Sequence, residues 1–93
     1  MLGLDSGGQS RRYMTELLRE YDVVRVARLN LPSREVLGTR PPQVGDVGAI
    51  CHQYDPNDQK APVAVEMLDE RGMTVWLADF FPDELDLVSS ATP

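Results

Sequence analysis

The N-terminal third of the chain passes from a helix-like to a strand-like pattern of hydrophobic positions. After the Gly-rich residues 1–9, apolar side chains recur three and four residues apart in residues 10–20, with charged side chains between them. This spacing predicts a short amphipathic helix, whose apolar stripe must cover another surface because about ten residues do not form a stable helix alone. The stretch "YDVVRVARL" then alternates, which predicts a first strand with Val24 and Val26 facing inward.

The second half of the chain predicts four more short strands. The segments "DVGAICHQY", "VAVEML" and "MTVWLADF" are rich in strand-forming residues and are separated by turn residues. "DERG" predicts a hairpin turn with Gly72 at a positive φ, "FPDEL" a 3₁₀ turn and "DLV" a closing strand. Residues 30–45 contain three prolines and two glycines and predict a long irregular loop. Together these elements predict a mainly β fold, a small closed or half-closed five-stranded barrel.

Four segments resemble, in their order and spacing, a bacterial family known as domain of unknown function 4926. They are "YDVVRV", "VGDVGAI", "VAVEMLDERGMTVWLA" and "PDELDLV", and they fall within residues 21–88. The resemblance implies an SH3-like barrel over residues 21–88 and no chemistry. The flexible lead-in 1–9, the α-helix 10–20 and the tail 89–93 would lie outside this barrel. The segment between Leu31 and Pro41 is longer than the family pattern.

Length and composition predict one small cytoplasmic domain. A chain of 93 residues buries a thin core, so self-association would help to stabilise it. Its single cysteine, Cys51, excludes an intrachain disulfide and fits a reducing compartment. The chain has no apolar run of the roughly 20 residues that a membrane-spanning helix requires, so we expect no membrane association.

Charge is distributed unevenly along the chain. The formal net charge is −6; residues 1–45 carry seven basic and five acidic side chains, and residues 46–93 carry two basic and ten acidic ones. An acidic half of this kind repels nucleic acid, because contacts to phosphate supply most of its non-specific affinity. It would suit a basic protein partner or the basic half of another copy.

No group of residues in the sequence predicts catalysis, a cofactor or a metal. Gly45, Asp46 and Gly48 indicate a structural turn rather than a phosphate-binding loop, because a strand follows them instead of a helix. Cys51 and His52 are adjacent in a predicted strand, so they should point to opposite faces and cannot act as a nucleophile and its base. We expect Cys51 in the core and His52 at the surface.

Two charged groups are candidates for surface contacts. The acidic residues near the C-terminus, which fit no calcium-loop spacing, predict a solvated edge; they are Asp79, Asp83, Glu84 and Asp86. The basic residues in and before the long loop predict a possible nucleic-acid patch; they are Arg25, Arg28, Arg34 and Arg40.

Surplus aromatic residues predict an interaction surface. Trp76, Phe80 and Phe81 are too many large groups for so small a barrel, and aromatic side chains are favoured interface anchors; with Tyr13 and Leu17 they form our candidate contact set. The leading hypothesis is a non-enzymatic protein-interaction module that self-associates, with a dimer favoured. The alternatives are an acidic immunity or antitoxin-like inhibitor of a basic protein, and an RNA-binding module of the KOW type that uses the arginine patch.

Overall fold

The computed structural model describes residues 18–91, which form one antiparallel sheet of six strands. The strands are β1 (Val23–Val26), β2 (Val36–Gly38), β3 (Val47–Gln53), β4 (Val63–Leu68), β5 (Thr74–Phe80) and β6 (Leu85–Ser89), with a 3₁₀ turn at Pro82–Glu84. Their order across the sheet is β2-β5-β4-β3-β1-β6. The predicted mainly β class, the 3₁₀ turn and the closing strand are therefore confirmed.

The core lies on one face of this sheet. Ile50 of β3 is opposite Val65 of β4, and Val65 is opposite Ala78 of β5, so the three side chains form one buried row. Val24 and Val26 of β1 are buried as predicted. Burial of a side chain of this size stabilises the fold by about 1.5–3 kcal/mol, so the alternating pattern of the strands largely determines which face is covered.

The sheet differs from the predicted five-stranded barrel in two ways. Residues 30–45 are not wholly irregular, because they contain β2, which pairs with β5 at one edge of the sheet. The described strands also do not close into a barrel: the pairings run from β2 at one edge to β6 at the other, and these two strands are not paired with each other. Within residues 18–91, β6 therefore pairs only with β1.

The predicted turns are present, although their glycines serve different purposes. Gly45 and Gly72 have φ values of 97° and 82°, which favour glycine because a Cβ would be strained there. Gly48 instead lies within β3, where a Cβ would stand 2.7 Å from the carbonyl oxygen of Glu66 on β4. Its small size allows the backbones of β3 and β4 to approach each other.

The two ends of the described chain meet at one buried carboxylate. Asp22 accepts a hydrogen bond from the N–H of Arg19 at 2.9 Å and another from the N–H of Ala91 at 2.8 Å. The predicted helix 10–20 lies mostly outside the described residues, and its described part, residues 18–20, is not helical. No helix in residues 18–91 is long and apolar enough to cross a membrane.

Candidate functional site

A buried ion pair ties the long loop to the 3₁₀ turn. Arg34 donates from Nη2 to Oε2 of Glu84, and their side chains are 7% and 0% exposed. The guanidinium of Arg34 also stacks over Phe80, with Cζ 4.3 Å from the ring centroid, and donates to the carbonyl oxygen of Asp79 at 3.2 Å. Glu84 is therefore a core residue and not part of the solvated acidic edge that the sequence predicted.

Backbone donors complete the surroundings of the Glu84 carboxylate. Oε2 accepts from the N–H of Asn30 at 2.7 Å, and Oε1 accepts from the N–H of Phe81 at 2.9 Å. Burial by itself raises the pKa of Glu84, but the hydrogen bonds from Arg34, Asn30 and Phe81 outweigh it and hold the pKa below its ordinary value. The pair is built to stay ionised and to fix the loop, which is a structural role.

Asp46 is a second carboxylate that joins separate segments. Its two oxygens accept hydrogen bonds from Arg40 at 2.7 and 3.1 Å, and Oδ2 also accepts from Nε1 of Trp76 at 2.9 Å and from the N–H of Gln43 at 2.9 Å. The bond from Arg40 is the main cause of a lowered pKa of Asp46, against the opposing effect of partial burial. The predicted structural role of Asp46 therefore has a physical basis in four donated hydrogen bonds.

The four arginines of the predicted basic patch do not form a free cationic surface. Arg34 is bound to Glu84, Arg40 is bound to Asp46, and Arg28 donates to the carbonyl oxygen of Asp83. Arg25 is exposed on β1, where it lies opposite Asp86 of β6. Two of the four guanidinium groups are therefore paired with carboxylates of the fold.

The predicted aromatic contact set is divided between core and surface. Trp76 and Phe80 are 0% exposed and pack with their ring centroids 5.5 Å apart, so they hold the core together and offer nothing to a partner. Phe81 is 40% exposed and keeps its candidate role. Tyr13 and Leu17 lie outside the described residues.

The position predicted for Cys51 is wrong, because its neighbour Ile50 takes the core position of β3 and Cys51 is exposed. The register between β3 and β4 shifts between Ile50 and His52, so this β-bulge leaves His52 exposed as well, as expected. Partial desolvation of its sulfur, aided by nearby carboxylates, raises the pKa of the Cys51 thiol. Its ordinary state at neutral pH is the thiol, which is a weak nucleophile.

An open groove lies beside β6 and the 3₁₀ turn. Its volume is about 1080 Å³, and the described residues that line it are Leu18, Asn30, Gln59, Lys60, Phe81, Pro82, Asp83, Leu85, Asp86 and Leu87. Three consecutive residues of β6 line it, although alternate side chains of a strand point to opposite faces. The groove therefore lies against β6, the last strand in the order of the described sheet.

The apolar groove residue Leu87 of β6 was missed by sequence reasoning. Leu87 is 38% exposed, and Val88, which does not line the groove, is exposed beside it, whereas "DLV" predicted only a closing strand. The signal that was available is an apolar strand at the end of the chain, because the last strand of an open sheet often lies at an edge. The sequence had singled out three groove residues: Phe81 as an aromatic contact, and Asp83 and Asp86 as part of an acidic edge.

The groove combines apolar and acidic side chains. Within residues 18–91, no three His, Cys, Asp or Glu side chains are grouped so that they could hold a metal ion. Asp83 and Asp86 at the groove are exposed acids with apolar neighbours. Comparison of the chain with protein-family models, with curated proteins and with solved structures found no match.

Proposed function

We propose that this chain is a small non-enzymatic protein-interaction module of the SH3-like class with a half-closed barrel, acting in the cytoplasm and self-associating as a dimer through β6. The observation that carries the proposal is that, among the strands of residues 18–91, β6 pairs on one side only, with β1, and that a groove with apolar lining lies against it. An edge strand presents a row of N–H and C=O groups that can pair with another strand. The exposed side chains of Leu87 and Val88 add apolar area to such a pairing.

The sequence of β6 suits pairing with a second copy of itself. In an antiparallel pair centred on Leu87, the two Leu87 side chains are directly opposite, and Asp86 faces Val88 of the other copy. This register keeps the two Asp86 carboxylates from facing each other, which would be destabilising. Such a two-fold contact uses the same surface on both copies, as most homodimers do.

The structural roles of the ion pairs of Asp46 and Glu84 also support a binding function without catalysis. The carboxylates of Asp46 and Glu84 have lowered pKa values because arginine and N–H donors bind them. Both are used to hold segments of the fold together, and a general base or acid would need a pKa closer to neutral pH.

Sedimentation velocity over a concentration series tests this proposal. We expect the wild type to form dimers, and Leu87→Lys to be monomeric at concentrations where the wild type is dimeric, because a lysine at an edge opposes strand pairing. The matched control is Leu37→Lys on β2, at the opposite edge of the sheet, where Leu37 is 61% exposed. A wild type that stays monomeric at every concentration, or equal losses in both variants, would overturn the proposal.

A basic protein is the second candidate partner, because Asp83 and Asp86 are exposed at the groove. This corresponds to the inhibitor hypothesis. A complex of that kind should weaken steeply with added salt, whereas an apolar pairing of β6 strands should not. Asp83→Asn with Asp86→Asn would abolish capture of the basic partner and leave self-association through Leu87 in place.

A further inference from the structure

We propose that Glu84 is the positioning residue of the groove: its carboxylate joins the two walls of the groove from behind and so holds the start of β6 in place for pairing with another strand. This inference rests on the proposed function for the use of the groove. Its own basis is the set of hydrogen bonds that converge on Glu84 from both walls.

The groove has one wall on the long loop and one on the 3₁₀ turn. Asn30 lines it from the loop, and Phe81, Pro82 and Asp83 line it from the turn. Glu84 is the next residue of the turn, but its side chain is 0% exposed and is absent from the part of the lining that the structure describes. The side chain therefore lies behind the lining, where it makes no contact with a molecule in the groove.

The carboxylate of Glu84 divides its two oxygens between these walls. Oε2 accepts the N–H of Asn30 at 2.7 Å, and Oε1 accepts the N–H of Phe81 at 2.9 Å. Arg34, further along the loop, also donates to Oε2, so the buried carboxylate is paired with a cation. A carboxylate accepts at both oxygens, whereas a carboxamide has one accepting oxygen. A glutamine at this position therefore serves one wall but not both.

Backbone hydrogen bonds join the same segments. The carbonyl oxygen of Glu84 accepts from the N–H of Ala27 at 2.8 Å and from that of Arg28 at 3.2 Å, just before the loop. The N–H of Leu85, the first residue of β6, donates to the carbonyl oxygen of Pro82 in the turn. Glu84 thus connects the loop wall, the turn wall and the beginning of β6.

A groove whose walls are already fixed binds more tightly than one whose walls must be ordered on binding. Walls that move independently in the free protein lose that freedom when a second strand is bound, and the loss opposes association. For self-association through β6, we expect removal of the Glu84 link to raise the dissociation constant of the dimer several-fold. This effect requires no loss of a direct contact between the two copies.

Sedimentation velocity of Glu84→Gln measures this effect. The matched control is Asp46→Asn, which also replaces a carboxylate bonded to an arginine and a backbone N–H. Its donors Arg40, Gln43 and Trp76 are not among the described residues that line the groove. Under conditions where both variants are folded by circular dichroism, only Glu84→Gln should weaken self-association. Equal weakening by both variants overturns the inference, because a general loss of stability then explains it.

Amide hydrogen exchange followed by NMR tests the walls directly. In Glu84→Gln, at least one of the amides of Asn30 and Phe81 loses its acceptor and should exchange several-fold faster than in the wild type. Asp46→Asn should leave the exchange of both amides unchanged. If neither amide exchanges faster in Glu84→Gln, the carboxylate does not hold the walls and the inference is overturned.

A pair of variants in the loop wall covers the case in which Glu84→Gln does not fold. Asn30→Pro removes the N–H that donates to Glu84, and Asn30→Ala keeps it. Neither changes the net charge, and both remove the same side chain from an exposed position. We expect Asn30→Pro to dimerise several-fold more weakly than Asn30→Ala. Equal dissociation constants of the two variants overturn the inference.

The wild type separates failure of this inference from failure of the proposed function. If the wild type dimerises and Glu84→Gln dimerises equally well, the proposed function stands and the positioning role is excluded. If the wild type stays monomeric at every concentration, the proposed function is overturned and the positioning role in pairing is overturned with it, whatever the exchange of the two amides shows.

Discussion

The indole of Trp76 on β5 is held by the carboxylate of Asp46, which lies in the turn just before β3: its Nε1–H donates to Oδ2 of Asp46 at 2.9 Å. The two residues are 30 positions apart in the chain, and Trp76 has no exposed surface. A fully buried indole N–H needs an acceptor, because an unsatisfied donor costs about 1–3 kcal/mol. Asp46 supplies that acceptor and is itself neutralised by Arg40.

Removal of this acceptor should destabilise the protein. We expect Asp46→Ala to lower the free energy of unfolding by about 2–4 kcal/mol, because the N–H groups of Trp76 and Gln43 lose their acceptor. Urea denaturation followed by Trp76 fluorescence measures the effect. The control is Glu70→Ala, an exposed residue of the β4–β5 hairpin, which should change stability by less than about 0.5 kcal/mol. Equal effects of the two changes would contradict this role of Asp46.

Loss of one partner of the buried ion pair should be more harmful than loss of both. Arg34→Met leaves the carboxylate of Glu84 buried without its cation, and breaking such a pair costs about 3–5 kcal/mol. Arg34→Met combined with Glu84→Gln should recover part of that loss, since no uncompensated charge remains. Chemical denaturation of the two single variants and the double variant forms the cycle. Strictly additive losses would show that the two residues do not interact.

Stability should fall as the pH becomes acidic. Asp46 and Glu84 have lowered pKa values in the folded state, so their contributions are fully present above about pH 4, the ordinary range for carboxyl groups. The contributions are lost as the pH falls below that range through the folded-state values, because the unfolded chain then binds more protons. Denaturation curves between pH 7 and pH 2 measure this. Asp46→Asn should flatten the acidic part of the profile, and an unchanged profile would contradict the assignment.

Cys51 should react slowly in the folded protein despite being accessible. Its side chain is exposed at the bulge, so we expect complete modification by a thiol reagent without unfolding. Its raised pKa leaves less thiolate at neutral pH, so the rate should be several-fold lower than that of the same chain in urea. Stopped-flow kinetics with an aromatic disulfide reagent measures both rates. A folded-state rate equal to the unfolded one would exclude the raised pKa.

Local signals in the sequence predicted much of the fold. Alternation identified Val24 and Val26 as inward-facing, and the turn residues of "DERG" and "FPDEL" located the hairpin and the 3₁₀ turn. The three residues of β2 were missed because a strand so short has too few positions to show alternation. The strand β2 forms because it pairs with β5, and the sequence of β2 alone does not predict that pairing.

Features that depend on distant partners were the ones that sequence reasoning missed. Arg34 and Glu84 are 50 positions apart, so neither residue alone predicts a buried pair. Trp76 and Phe80 share one face of β5, and the sequence of β5 alone does not decide which of its two faces is buried. The register against β4 places their face on the core. The register shift between Ile50 and His52 leaves the adjacent Cys51 and His52 both exposed, and period-two reasoning does not allow for an inserted residue.

The carboxylate of Asp22, which binds the N–H groups of both Arg19 and Ala91, gives the described unit a single point of entry and exit. A unit with this geometry can be inserted into a surface loop of a host protein without separating the two ends of that loop. For the same reason, two proteins fused before Arg19 and after Ala91 would be attached side by side and not at opposite ends of the unit. In protein engineering, the described fold can therefore serve as a domain whose two attachment points lie close together on one side.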